Sequence, residues 1–136
     1  MELAHPAVVG SFGPPGRHML LLYRPQYEDG EFKGTVYLGG GAEHSSELPA
    51  LGLIPGHFAT EVEAVFFDKA GPGGTGLDLF VLYSYHRNGS ESDDGHACAV
   101  YRWRGDRFVS LPDVEKRIAG LATAAAVRKR LRSNVR

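Results

Sequence analysis

The sequence predicts an α+β fold: a mostly antiparallel sheet built from two duplicated β-hairpin units, with a C-terminal helical segment. Two observations carry this expectation. The first third of the chain repeats the order of its centre, and helical spacing is confined to residues 110–136. The first copy opens with Ala7-Val8-Val9, then Gly10-Ser11-Phe12-Gly13-Pro14-Pro15-Gly16. A dense apolar run from Met19 to Tyr23 follows, then Glu28-Asp29-Gly30-Glu31, then Gly34-Thr35-Val36-Tyr37-Leu38-Gly39. The same order returns with Ala64-Val65-Phe66-Phe67 and a loop from Asp68 to Gly76. It continues through Leu77–Tyr85, the acids Glu91, Asp93 and Asp94, and Ala97-Cys98-Ala99-Val100-Tyr101-Arg102-Trp103. The spacing is 57 to 64 residues, so that Tyr23 corresponds to Tyr83 and Tyr37 to Tyr101. A supersecondary unit repeated at a nearly fixed period points to architecture.

The elements follow in chain order. Met19–Arg24 and Leu77–Tyr85 are nearly unbroken apolar runs, the pattern of strands buried on both faces. Phe32–Leu38 and His96–Trp103 read as the returning strands of two hairpins. Residues 40–59 show no period and read as a long loop with Leu48, Leu51, Leu53 and Ile54 in it. Glu61-Val62-Glu63-Ala64-Val65-Phe66 begins by alternating, as a half-exposed strand does. Arg104-Gly105-Asp106-Arg107 turns the chain tightly into Phe108-Val109. Ser110 with Asp113, and Pro112 near the first turn, resembles a capping box. Val114, Ile118, Leu121 and Ala125 continue at helical spacing. Gly120 is a weak point that divides the segment, with Thr123 placed to cap a second helix. The expected organisation is one domain over 1–136. Residues 1–39 form a first, degenerate unit, 40–59 a loop, 60–109 the second unit and 110–136 the helical end.

Composition sets outer bounds. A chain of 136 residues with 43% hydrophobic and 23% charged content buries enough surface to fold without staples. Cys98 is the single cysteine, which excludes an intramolecular disulfide and suits a cytoplasmic location. A secreted or periplasmic location stays open if a leader has been trimmed. No apolar stretch reaches the roughly 18 residues a membrane span needs. The net charge of −1 hides an asymmetry, for residues 1–109 carry 8 Lys/Arg against 14 Asp/Glu, and residues 110–136 carry 7 against 2. The basic end, Arg128-Lys129-Arg130-Leu131-Arg132, reads as a complement to a helix macrodipole, and the acidic body would repel a phosphate backbone. Neither nucleic acid nor membrane is an expected partner.

No chemical motif stands out. The Gly71–Gly76 loop leads into a strand and lacks the Gly-Lys-Ser/Thr of a phosphate cradle. His5, His18, His44, His57, His86 and His96 form none of the spaced pairs that hold zinc, although His86 and His96 flank the acids of the second hairpin. No Gly-x-Ser-x-Gly is present. The chain reads as non-enzymatic, with no cofactor expected.

The string Val65-Phe66-Phe67-Asp68, the glycine-rich loop, Leu77-Asp78-Leu79-Phe80-Val81-Leu82-Tyr83-Ser84-Tyr85 and Val100-Tyr101-Arg102-Trp103 resembles the FG-GAP or VCBS-type repeat. It is most similar to small single-domain bacterial proteins of that kind. The resemblance covers about residues 60–109 and implies β-hairpin units packed side by side. In the family the loop carries carboxylates that bind calcium. Here only Asp68 and Asp78 stand at acidic positions, while Ala, Pro and Gly replace the aspartates between them. A hard cation wants six to eight oxygens, so the two are weak metal candidates on a degenerate loop.

The resemblance further implies an interaction module. The expected function is a non-catalytic protein-binding module, of the kind that acts as an immunity-type inhibitor neutralising a partner toxin. The alternative is a small-ligand-binding or metal-dependent hydrolytic domain using the His86/His96 region. The expected contact surface comprises Glu91, Asp93 and Asp94 in a loop over Asn88–Asp94, Leu51 and Leu53 in the loop over Glu43–Ile54, and the aromatic anchors Tyr85 and Trp103. Its partner would be another protein, such as a basic toxin domain steered by the acids. The oligomeric state is left open.

Overall fold

Alternation along the strands decides how the chain is layered. A computed structural model describes residues 2–24, 32–39, 44–50, 57–71, 76–87 and 90–133. The first sheet contains β1 (Glu2–Leu3), β2 (Val8–Gly10), β3 (His18–Arg24), β4 (Lys33–Leu38) and β5 (Ser45–Glu47). Both β1 and β2 pair with β3, which pairs with β4, which pairs with β5, all antiparallel. The second sheet runs in order through β6 (His57–Asp68), β7 (Asp78–Arg87), β8 (Ser90–Trp103) and β9 (Phe108–Ser110), also antiparallel. The duplication read from the sequence is visible in the ladders. Met19 faces Tyr37 across β3 and β4, and Leu79 faces Tyr101 across β7 and β8. Those are the positions that the repeat spacing equates.

Side chains alternate from face to face along a strand. On β3 and β4 the inward set is Leu20, Leu22 and Val36, and it meets Leu79, Val81, Tyr83, Ala99 and Tyr101 of the second sheet. Phe12, Phe32 and Phe108 close this core. The other face of the second sheet, Phe66, Phe80, Leu82, Cys98 and Val100, packs on Ile118, Val127 and Leu131 of the C-terminal segment. The described layers are therefore sheet, sheet, helices. β7 is buried on both faces, as its unbroken apolar run predicts. β3 has a similar run but buries only alternate residues. Nothing in the described structure covers its second face.

The helical end divides as expected. Helix α1 spans Pro112–Arg117 and α2 spans Ala124–Ser133, with Gly120 between them at φ 85°. The Thr123 hydroxyl accepts the Ala126 amide at 3.1 Å and caps α2. Ser110 does not cap α1. It ends β9, and the N-cap position falls to Leu111 without a side-chain bond. The Leu111 amide is taken up instead by the Val100 carbonyl at 3.0 Å, so strand pairing with β8 outcompetes the capping box.

Two loop readings change. Residues 40–59 include β5 and the first residues of β6, so the first unit has its own fourth strand. The acids Glu91, Asp93 and Asp94 lie within β8, because the ladder continues past Tyr85–Gly95 to Arg87–Ser90. That end of the hairpin precedes the apolar run of β8. Its residues carry no apolar period for a sequence reader to find.

Candidate functional site

The two carboxylates flanking the glycine-rich loop are both occupied. Asp78 begins β7 on the helix-facing side, 3% exposed. Alternation along β8 puts Arg102 on that same side, in line with Val100 and Cys98. The guanidinium grips the carboxylate as a fork, Nε to Oδ1 at 3.0 Å and Nη2 to Oδ2 at 2.9 Å. Oδ2 also accepts the Ala70 amide at 2.9 Å, which pins the end of the loop. The hydrogen bond to Asp78 is the main influence raising the Arg102 pKa above its ordinary value. Asp68 accepts the Lys69 amide at 2.7 Å and faces Arg128 of α2 at 3.2 Å. The Arg128 guanidinium also lies over the Phe66 ring at 4.9 Å. Each acid thus caps a loop amide and meets an arginine, and the bidentate Arg102 provides the charge that a cation would otherwise supply.

The glycine-rich loops of the two units touch each other. The Gly13 amide donates to the Leu77 carbonyl at 2.9 Å. A Cβ on Gly76 would lie 2.5 Å from the Gly13 oxygen, so this crossing requires glycine. His18, 3% exposed, steadies the first loop. Its Nε2–H donates to the Pro14 carbonyl at 2.7 Å, and Nδ1 accepts the Gly39 amide at 3.0 Å. Those two bonds specify the Nε2–H tautomer and commit both ring nitrogens to structure.

Glu115 of α1 was not singled out by any sequence motif. Its Oε2 accepts the Val100 amide at 2.9 Å, where β9 has ended and no strand remains to do so. Burial raises its pKa above the ordinary 4.5, opposed by that hydrogen bond. Burial, reinforced by the Glu115 charge, likewise raises the Tyr83 phenol and the Cys98 thiol, leaving Cys98 an unreactive core residue. A raised carboxyl pKa means that the folded state holds the proton more tightly than the unfolded state. Stability is therefore lost as pH rises through and above the usual glutamate range. Glu115→Gln keeps an acceptor without the buried charge. Its stability relative to the native chain should grow from acid to neutral pH in urea titrations. Glu115→Ala strands the Val100 amide and should cost about 1–3 kcal/mol. A pH-independent gap for Glu115→Gln would contradict the assignment.

The expected contact residues are distributed as follows. Tyr85 is half-buried, its ring lying over Gly95, where a Cβ would come within 2.6 Å of the hydroxyl. Trp103 is also half-buried, edge-on to Phe108 at 5.0 Å between centroids. Both pack against the inter-sheet core, so neither presents a whole ring to solvent. Glu91, Asp93 and Asp94 share the first part of β8. Leu51 and Leu53 lie outside the described residues. His96 Nε2 approaches Glu63 Oε1 at 3.9 Å, and His86 sits opposite Phe58 near the end of β7. Among the described residues no three His, Cys, Asp or Glu side chains converge to hold a metal ion. No described helix is long and apolar enough to cross a membrane.

Comparison with known proteins adds no relative: no protein-family model, curated protein or solved structure matches this chain.

Proposed function

We infer that this chain is a non-catalytic protein-binding module whose contact surface is the acidic end of the second sheet. The reading rests chiefly on the position of Glu91, Asp93 and Asp94. All three are carried by β8 near its junction with β7, on a hairpin whose roots lie in the fully buried centre of the sheet. A strand end bearing three acids favours encounter with a basic surface, raising the association rate in a salt-dependent way. The commitment of Asp68, Asp78 and His18 to internal bonds agrees with a binding role rather than a chemical one. The likeness of the second unit to FG-GAP-type repeats points the same way. An immunity-type inhibitor that neutralises a basic toxin domain is the specific form proposed, within the cytoplasm of a bacterium.

The test begins by recovering the partner on immobilised chain from the source bacterium, then measuring binding across a salt series. Asp93→Lys with Asp94→Lys should weaken the complex about tenfold or more, mainly by slowing association. Lys129→Glu with Arg130→Glu, both exposed on α2, should leave it unchanged. The opposite pattern would move the contact surface to the helical end.

A further inference from the structure

The apolar side chains most open to solvent among the described residues are Val9 (53%), Leu3 (49%), Tyr37 (46%) and Leu77 (39%). The first three belong to one surface. Partners in an antiparallel ladder share a face. One outward row of the first sheet is thus Val9, Met19, Tyr37 and Ser45, and the next is Leu21, Thr35 and Glu47. The third is Leu3, Tyr23 and Lys33. Six of these ten positions are large and apolar, in contiguous rows. The repeat explains what such a face is for. Met19, Leu21, Tyr23 and Tyr37 are equivalent by the repeat spacing to Leu79, Val81, Tyr83 and Tyr101. In the second unit those four side chains are buried against another sheet. Among the described residues the first unit presents the same face with no sheet upon it, its β3 residues half-buried, while the helices cover the far side of the second unit.

We propose that this face is a self-association surface, on which two copies of the chain meet sheet to sheet about a dyad crossing the strands at Leu21. This goes beyond the partner-binding reading and uses a different sheet. A second copy is the occupant that leaves no sheet face open: helices, sheet, sheet, then the same layers in reverse, capped at both ends. The apolar rows are self-complementary in this orientation, while the middle row sets Glu47 against its own mate at the rim, a like-charge contact that weakens the association. A dyad across the strands exchanges the first and third rows, so Val9 meets Leu3, Met19 meets Tyr23, and the Tyr37 ring meets the methylenes of Lys33. A dyad along the strands would instead set Val9 on Ser45 and Leu21 on Thr35. Four strands about 4.8 Å apart and five residues at about 3.4 Å give a face of roughly 330 Å² in projection. Counted on both copies, that is less than a stable dimer buries, so the association should be weak and reversible. A net charge of −1 opposes it little.

The experiment is sedimentation of the full chain over a dilution series, with cysteine cross-linking to fix the geometry. The native chain should pass from monomer to dimer with rising concentration. Val9→Glu with Tyr37→Glu, both at open positions, should raise the dissociation constant about tenfold or more with an unchanged thermal melt. Added sulfate should tighten the dimer, since burial of apolar surface drives it. Asp93→Lys with Asp94→Lys should leave it intact, which separates this surface from the acidic one. Leu21→Cys, on the dyad, should be joined to its mate by a bismaleimide whose span of about 10 Å matches the separation of stacked sheets, with the native Cys98 buried and silent. Val9→Cys alone should not, because its mate is displaced about four residues along the strand, roughly 13 Å, as well as across the gap between the sheets, beyond that span. A chain that stays monomeric at the highest concentration overturns the proposal. So does a dimer that survives the double glutamate variant, or a Val9→Cys cross-link as fast as that of Leu21→Cys.

Discussion

Asp78→Ala is expected to cost about 3–5 kcal/mol of folding stability, because it leaves the Arg102 guanidinium buried without its counter-charge. Arg102 is 8% exposed and Asp78 3%, so water reaches neither well enough to replace the lost partner. Arg102→Met should cost a similar amount, through the stranded carboxylate. The pair itself is a poor source of net stability, since desolvating two ions offsets most of their attraction. The double variant Asp78→Leu with Arg102→Met should therefore recover most of the loss. It should stay about 1–3 kcal/mol below the native chain, because the Ala70 amide no longer has its acceptor. Urea unfolding followed by Trp103 fluorescence measures all three. A single-variant cost below about 1 kcal/mol would mean that the pair is hydrated, and additive single costs in the double variant would mean that the two residues do not act together.

The same pair shows how far the sequence could be read. The alternation that makes Val100 and Tyr101 face opposite ways also puts Arg102 on the helix-facing side of β8. A guanidinium on a buried face demands an acid, and Asp78 is the acid at the start of the neighbouring strand. Pattern alone placed β7, both hairpins, the break at Gly120 and the Thr123 cap, because each rests on a local rule of spacing or turn chemistry. What pattern could not supply were contacts whose partners are remote in sequence. Glu115 completes a β-ladder from within a helix, 15 residues from the amide it accepts, and no motif encodes that. The apolar run of β3 is as dense as that of β7, yet among the described residues only one of its faces is fully buried. Sequence measures how apolar a strand is, not which layer reaches it. The acids of β8 escaped for a different reason. They continue the backbone ladder beyond the apolar run, where the sequence shows no period.

Phe12→Ala should cost about 3–5 kcal/mol, the range for removing a fully buried phenylalanine whose surroundings relax only in part. Phe12 is 1% exposed and leads the loop that crosses the second unit's loop. Its ring stacks on Phe67 at 4.6 Å and 10°, meets His18 edge-on at 5.8 Å and reaches Phe108 at 6.2 Å. One side chain thus joins the first unit to the two edge strands of the second, β6 and β9. The next residue supplies the amide that bonds Leu77. Loss of the ring leaves a cavity between the sheets and frees that loop crossing. The Gly13 amide should therefore lose its protection in hydrogen exchange before the β7 amides lose theirs. Phe12→Leu, which refills most of the volume, should cost clearly less. If alanine and leucine variants are equally destabilised, aromatic stacking rather than cavity volume sets the cost. If both remain within about 1 kcal/mol of the native chain, the ring is no fastener between the sheets.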